Sequence, residues 1–143
     1  MNVLYLPYKL EVDKGIYSLT GEDRLGAAFG AGAGGTREAA ERALILDVLS
    51  SLETHASAGE DRFGDLHRAR PEQPHVAFGP TELLPIRLRL ARSRAKLRQA
   101  DMAVRLGITQ QAYAKLERPG ANPTLRTLVQ AEQALGVTLL NWN

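Results

Sequence analysis

Residues 99–116 read Gln-Ala-Asp-Met-Ala-Val-Arg-Leu-Gly-Ile-Thr-Gln-Gln-Ala-Tyr-Ala-Lys-Leu, and their spacing predicts two short helices joined by a sharp turn. Met102, Ala103 and Leu106 fall on one face of the first helix, and small Ala103 lets another helix cross closely. Gly107 can end that helix in the left-handed conformation, Ile108 is expected to tuck into the core, and Thr109 can cap the next helix. In the second helix Ala112, Tyr113 and Leu116 point inward. Gln110, Gln111, Ala114 and Lys115 are left outside, a polar face suited to a DNA major groove. A glutamine amide pairs bidentately with adenine N6 and N7, and two at the start of an inserted helix reach adjacent bases. Gln110, Gln111 and Lys115 are therefore the candidate base readers. Gln99, Thr109, Tyr113, Arg118 and Asn122 are the candidate phosphate-binding residues, which position rather than specify.

Two further helices flank this pair. Leu83, Ile86, Leu90 and later Leu97 can line the inner face of the preceding one. Arg87, Arg89, Arg92, Arg94 and Arg98 would give it a cationic exposed side, and Pro85 is tolerable only in the opening turn. Asn122-Pro123-Thr124 starts the following helix, with Leu125, Leu128, Val129 and Leu135 as its apolar stripe and Gly136 as its stop. Residues 81–143 hold 10 Lys/Arg against 4 Asp/Glu, net +6, whereas residues 1–80 hold 8 against 12, net −4. The basic half suits a polyanion and the acidic half a basic protein.

At the front, Leu4, Leu6, Tyr8, Leu10 and Val12 alternate with Tyr5, Pro7, Lys9 and Glu11, which predicts a half-buried strand, with Pro7 pointing to an edge strand or one with a bulge. Asp13-Lys14-Gly15 supplies a turn into a second strand at Ile16–Thr20, and Gly26–Phe29 is a weak third. Thr36 caps a helix whose Ala40, Leu44, Val48 and Leu52 repeat every four residues beside Ile45 and Leu49. The expected fold class is an α+β N-terminal domain, a three-stranded antiparallel sheet plus helix, joined to an all-α helix-turn-helix domain. The boundaries expected are residues 1–55 for the first, a polar Pro-containing linker at 56–80 with room for a short strand at 75–78, and 81–143 for the second.

Several chemistries are excluded or discounted. With no cysteine there is no disulfide, thiol nucleophile or cysteine-bearing zinc site. Gly30-Ala31-Gly32-Ala33-Gly34-Gly35 satisfies G-x-G-x-x-G between a strand and a helix, but no second buried parallel strand follows soon after, so it reads as a mobile loop. No cofactor is expected. His55, His67 and His75 lack ligand spacing and read as surface residues, and no metal site is assigned. No apolar run reaches the length of a membrane span and no secretory pattern opens the chain, so a cytoplasmic protein is the default.

Residues 84–140 resemble the Xre-type helix-turn-helix domain of lambdoid phage repressors. Its Gln, Ala, Gly, aliphatic, Ser/Thr pattern is met at Gln99, Ala103, Gly107, Ile108 and Thr109, and its Asn-Pro-Ser/Thr-Leu element at Asn122–Leu125. The resemblance implies that Gln99 contacts phosphate and that Gln110 and Gln111 read bases. Tyr113 stands where Ile or Val is usual, and Val137–Asn143 replaces the fifth helix with an apolar tail able to pack on the domain or on a second subunit. Together with Gly35-Thr36-Arg37-Glu38-Ala39 at the helix start, the chain resembles HicB-type antitoxins. In place of that family's Pro-Asp and Gly-Cys loop it has Gly21-Glu22-Asp23-Arg24-Leu25-Gly26. This second resemblance implies a partial ribonuclease-H-like fold, a small basic HicA-like mRNA-cleaving toxin as partner, and repression of the shared operon by a homodimer or higher oligomer on palindromic double-stranded DNA.

The function expected is thus that of a non-enzymatic antitoxin and autorepressor. A stand-alone Xre-family regulator with an N-terminal ligand-sensing domain is the alternative. A nuclease is disfavoured because Asp13, Glu22, Asp23 and Asp47 do not obviously gather around metal ions.

Overall fold

The computed structural model describes residues 3–139. They form two compact units. Of the described residues, one unit comprises Val3–Leu52 with Arg62–Gly79, and the other Glu53–Asp61 with 80–139.

The first unit is a four-stranded sheet with a helix on one face, rather than the three strands expected. Strands β1 (Leu4–Asp13), β2 (Ile16–Glu22), β3 (Ala28–Gly34) and β4 (His75–Phe78) lie in the order β3-β2-β1-β4, every neighbouring pair antiparallel. Helix α1 (Arg37–Ser57) follows β3. Lys14 and Gly15, with φ of 51° and 78°, make the two-residue turn between Asp13 and Ile16, the backbone hand that matches strand twist. Segment 56–80, expected as a linker with room for a short strand at 75–78, contributes a 3-10 turn at Phe63–Asp65 and the edge strand β4.

Strand β1 is internal, not an edge, yet Pro7 costs it nothing. Its residues Leu4–Pro7 pair with β4 while Tyr8–Asp13 pair with β2. Tyr5 exchanges 2.8 Å bonds with His67, and the Tyr8 N–H donates to Pro74 O on the other side at 3.0 Å. By alternation the Pro7 nitrogen points to the β2 side, just beyond the last β1–β2 pair, where no ladder bond is required. Leu4, Leu6, Tyr8, Leu19, Phe29, Leu44, Val48, Leu52, Val76 and Phe78 are buried, whereas Leu10 and Val12 at the distal end of the hairpin are exposed.

The glycine-rich segment is the main departure from expectation. It is a strand, not a mobile loop, with Ala31, Gly32, Ala33 and Gly34 opposite Thr20, Leu19, Ser18 and Tyr17. Gly30, Gly32 and Gly34 all face α1. A Cβ at Gly32 would fall on the helix backbone at Leu44 N and Ala40 O, one at Gly34 would lie 2.8 Å from Ala39 Cβ, and one at Gly30 would lie 2.5 Å from Val48 Cγ2. The glycines let helix and strand approach backbone to backbone, which is a packing reason and not a phosphate-binding one. Thr36 caps the helix as expected, its Oγ1 accepting from Ala39 N at 3.1 Å, and Asp47 Oδ2 accepts from Ala31 N at 2.9 Å.

The second unit holds α2 (Pro80–Arg94), α3 (Gln99–Leu106), α4 (Gln110–Leu116) and α5 (Leu125–Leu135). Helix α3 packs on α4 and α5, and α2 meets α5. Pro80 takes the first helical position, and Pro85 lies buried one turn deeper than expected, where it removes only the bond to the Thr81 carbonyl. Gly107 and Gly136 end α3 and α5 with φ of 67° and 65°. Ile108, expected in the core, is 38% exposed. On α5 the buried positions are Leu128 and Ala131, while Leu125 and Val129 lie outside, so the inner stripe is rotated from the expected one. Of the apolar tail, Leu139 is buried and its N–H donates to Glu132 Oε1 at 2.7 Å. Residues 140–143 lie outside the described residues.

Gly32→Ala is expected to destabilise the sheet unit by about 3 kcal/mol, because backbone atoms cannot yield as side chains do. Gly35→Ala, with open space at its Cβ, should be near neutral. Urea midpoints of the two variants check the contrast, and equal midpoints would refute close strand–helix packing.

Candidate nucleic-acid interface

Seven residues make a helix too short to hold its own shape in water. Helix α4 is ordered instead by its two ends and one anchor. At its start Thr109 is extended and its Oγ1 accepts from Ala112 N at 3.1 Å, the cap read from the sequence. On its inner side the Tyr113 ring is fully buried. Just past its end, the Glu117 carboxylate is buried as well, with 1% of the residue exposed.

Glu117 was not singled out by the sequence, and it organises the site. Arg92 of α2 donates to it through Nε at 2.6 and 3.2 Å and through Nη2 at 3.1 Å, a bidentate geometry. Gln99 Nε2 of α3 donates to Oε2 at 2.9 Å, and the Tyr113 hydroxyl lies 3.4 Å from Oε1. Arg92 also donates from Nη1 to Leu97 O at 2.9 Å. Burial alone would lower the Arg92 pKa, but hydrogen bonding and charge from Glu117 outweigh it and the net shift is upward. Burial, with the Glu117 charge beside it, pushes the Tyr113 hydroxyl well above its ordinary value. The three helices α2, α3 and α4 thus meet on one carboxylate.

The expected cationic exposed side of α2 is largely spent on such contacts. Arg89 pairs with Glu53 at 3.0 Å, Arg92 with Glu117, and Arg87 Nη2 donates to Thr138 O at 3.3 Å. At the N-terminus of α3, the Asp101 carboxylate accepts from Arg98 N at 2.8 Å and from the Arg98 guanidinium at 3.2 Å, which holds its pKa below the usual range.

With the inner face fixed in this way, the outer face of α4 is defined. Gln110, Gln111 and Lys115 are exposed, and the two glutamines line a shallow concavity with Thr109 and Ala114. Arg118 and Asn122, which follow the helix, are exposed too. Among the expected phosphate contacts, Thr109 uses its oxygen as a cap acceptor, Gln99 directs its amide to Glu117, and Tyr113 is buried and unavailable to phosphate. Its ring faces inward and its hydroxyl serves Glu117, so no phosphate can reach it. Ala112, expected inward, is exposed. Among the described residues no group of three or more His, Asp or Glu side chains converges as a metal site, and no helix is long and apolar enough to cross a membrane.

A helix-turn-helix family model matches residues 88–142, which covers α3, the Gly107 turn, α4 and α5. Over this segment the chain is similar to Xre-type helix-turn-helix domains, a match that supports a regulator that binds double-stranded DNA. No curated protein matches the chain.

Arg92→Met is expected to cost about 3–5 kcal/mol, since it leaves the Glu117 charge buried without its partner. Adding Glu117→Leu should recover most of that loss, and chemical unfolding of the single and double variants measures the coupling. The raised Tyr113 pKa means that the native state holds this proton more tightly than the unfolded chain does. The associated stability is complete below the ordinary tyrosine pKa of 10.0 and is lost as pH rises beyond it. In an alkaline titration followed by phenolate absorbance, the wild type should therefore show a step that coincides with unfolding and that Tyr113→Phe removes.

Proposed function

We propose that the chain is a sequence-specific repressor and that Gln110 and Gln111 read its operator bases, with Lys115 alongside. The observation that carries this is the exposed amide pair on a helix tip locked from behind by Tyr113, Glu117 and the Thr109 cap. Each glutamine offers a donor and an acceptor to adenine, worth about 1–3 kcal/mol of discrimination per good pair. Thr109, Arg118 and Asn122 flank the tip at positions suited to phosphate, and Gln99 can add its backbone N–H at the start of α3. A homodimer would place two such tips on a palindrome with half-sites roughly 34 Å apart.

We further propose that the sheet unit is a protein-binding module, and that the whole is a HicB-type antitoxin, acting in the cytoplasm, that neutralises a small basic toxin without enzymatic activity of its own. Support comes from the order of three strands, a helix and a further strand, compatible with a partial ribonuclease-H-like fold. Sensing of a small molecule through the glycine segment loses its ground, because that segment is a strand whose glycines are filled by α1.

Gln110→Ala with Gln111→Ala is expected to remove operator preference, roughly 2–6 kcal/mol for two bidentate pairs, while salt-sensitive nonspecific binding persists. Competition binding against operator and random duplex reads both quantities, and an unchanged preference would reject the assignment. Copurification of the full chain from its native host should yield a short basic protein, and recovery of the chain alone would count against the antitoxin reading without touching the operator one.

A further inference from the structure

The helical unit has a second concavity, of about 340 Å³, that shares no residue with α4. Leu90 and Ala91 of α2 form one wall, and Leu135 of α5 with Leu139 forms the other. Arg87 and Arg94, one turn to either side of that α2 wall, line it too, with Asp61. The lining therefore carries two cations and one anion among apolar side chains, a net positive charge. A cationic ligand meets net like charge there, and a purely polar one leaves the apolar lining wet.

Arg87 sharpens the preference. Its Nη2 donates to Thr138 O at 3.3 Å, and Thr138 itself lines the cavity. Burial draws the guanidinium below its ordinary pKa, with the Asp61 charge acting in the other direction. A half-buried guanidinium among apolar cavity-lining side chains gains from an anion brought next to it in low dielectric. Arg94 has its Nε held by Gly59 O at 3.0 Å, which fixes the second cation of the lining. The volume lies at the lower end of small-molecule sites, roughly 300–1,000 Å³.

We propose that this cavity binds a small amphipathic carboxylate, a medium-chain or aryl acid, with its apolar body against Leu90, Ala91, Leu135 and Leu139 and its carboxylate at Arg87 and Arg94. This site stands apart from the DNA-binding assignment and from any protein partner of the sheet unit.

Calorimetric titration of the full chain with octanoate, acetate and octylammonium tests it. Octanoate should bind saturably, and acetate and octylammonium should not. Arg87→Gln should weaken octanoate about tenfold, the loss of one charge-assisted hydrogen bond. Ala91→Phe, which fills the cavity from within the helix, should abolish binding and leave operator affinity unchanged. Should Arg87→Gln fail to fold, Arg94→Gln gives the head-group test in its place. Octylammonium binding as well as octanoate, or octanoate binding that survives Ala91→Phe, would overturn the proposal. So would octanoate binding that occurs only after removal of the residues beyond Leu139, because the chain would then fill its own cavity.

Discussion

The helical unit depends on one buried carboxylate. Glu117 sits where α4 ends, out of water, and is held by Arg92 of α2, Gln99 of α3 and the Tyr113 hydroxyl within its own helix. A buried ion pair is weak as a source of net stability, since desolvation of two charges takes back most of the Coulombic gain. Its value here is geometric. Apolar contacts alone tolerate sliding and rotation, whereas a bidentate guanidinium and an amide converging on one carboxylate accept only one arrangement of three helices. The rotation of α4 about its axis is thereby set, and with it the direction of Gln110 and Gln111. On the proposed reading of Gln110 and Gln111 as base readers, a turn of a fraction of a helical step would break their hydrogen bonds, so the buried network and the exposed amides would act as a single device.

The sheet unit meets its own packing constraint by the opposite means. Strand β3 has no large side chain towards α1 except Phe29, and the helix comes close enough to touch strand backbone at Gly32 and Gly34. Small residues on the helix, Ala39 and Ala40, complete the fit. Such an edge strand, uncharged from Ala28 to Gly34, would be open to pairing with another chain. Asp47 limits that exposure by reaching from the helix to the Ala31 N–H. The close approach that the glycines permit is also what brings this carboxylate within reach of the strand.

Much of this is legible in the sequence, and several of the misses share a cause. Local signals were reliable: Thr36 and Thr109 cap, Gly107 and Gly136 stop, Ala40, Leu44, Val48 and Leu52 form a buried stripe, and Gln110 and Gln111 are exposed. Readings that depended on distant partners failed. Pro7 suggested an edge because nothing in its neighbourhood says that β1 changes partner at that residue. The arginines of α2 suggested an exposed cationic face because Glu53 and Glu117 lie 36 and 25 positions away from Arg89 and Arg92. The glycine segment was misread for a different reason. Its Gly-Ala alternation has the period of a strand, but strand propensity weighs side chains that pack, and here the packing surface is the absence of one. Glu117 left only a faint trace, a carboxylate four positions after an inward Tyr113 and therefore on the same inner face.

Buried partners also change what the charge of residues 81–143 can do on DNA. A net +6 would suggest a broad electrostatic grip. Yet Arg92 is neutralised by Glu117, Arg89 by Glu53 and Arg98 by Asp101 before any phosphate arrives. The cations that remain beside the recognition tip are chiefly exposed Lys115 and Arg118, with Arg126 at the start of α5. A small number of phosphate contacts per subunit gives a shallow dependence of affinity on salt, since each adds roughly 0.9 to the logarithmic slope. On the proposed operator reading, nonspecific binding by one subunit is then weak at physiological salt, and a larger share of the affinity falls on the amide contacts. On the same reading, the ion pairs that fix α4 also reduce its attraction to wrong sequences, which would raise specificity without a new base contact.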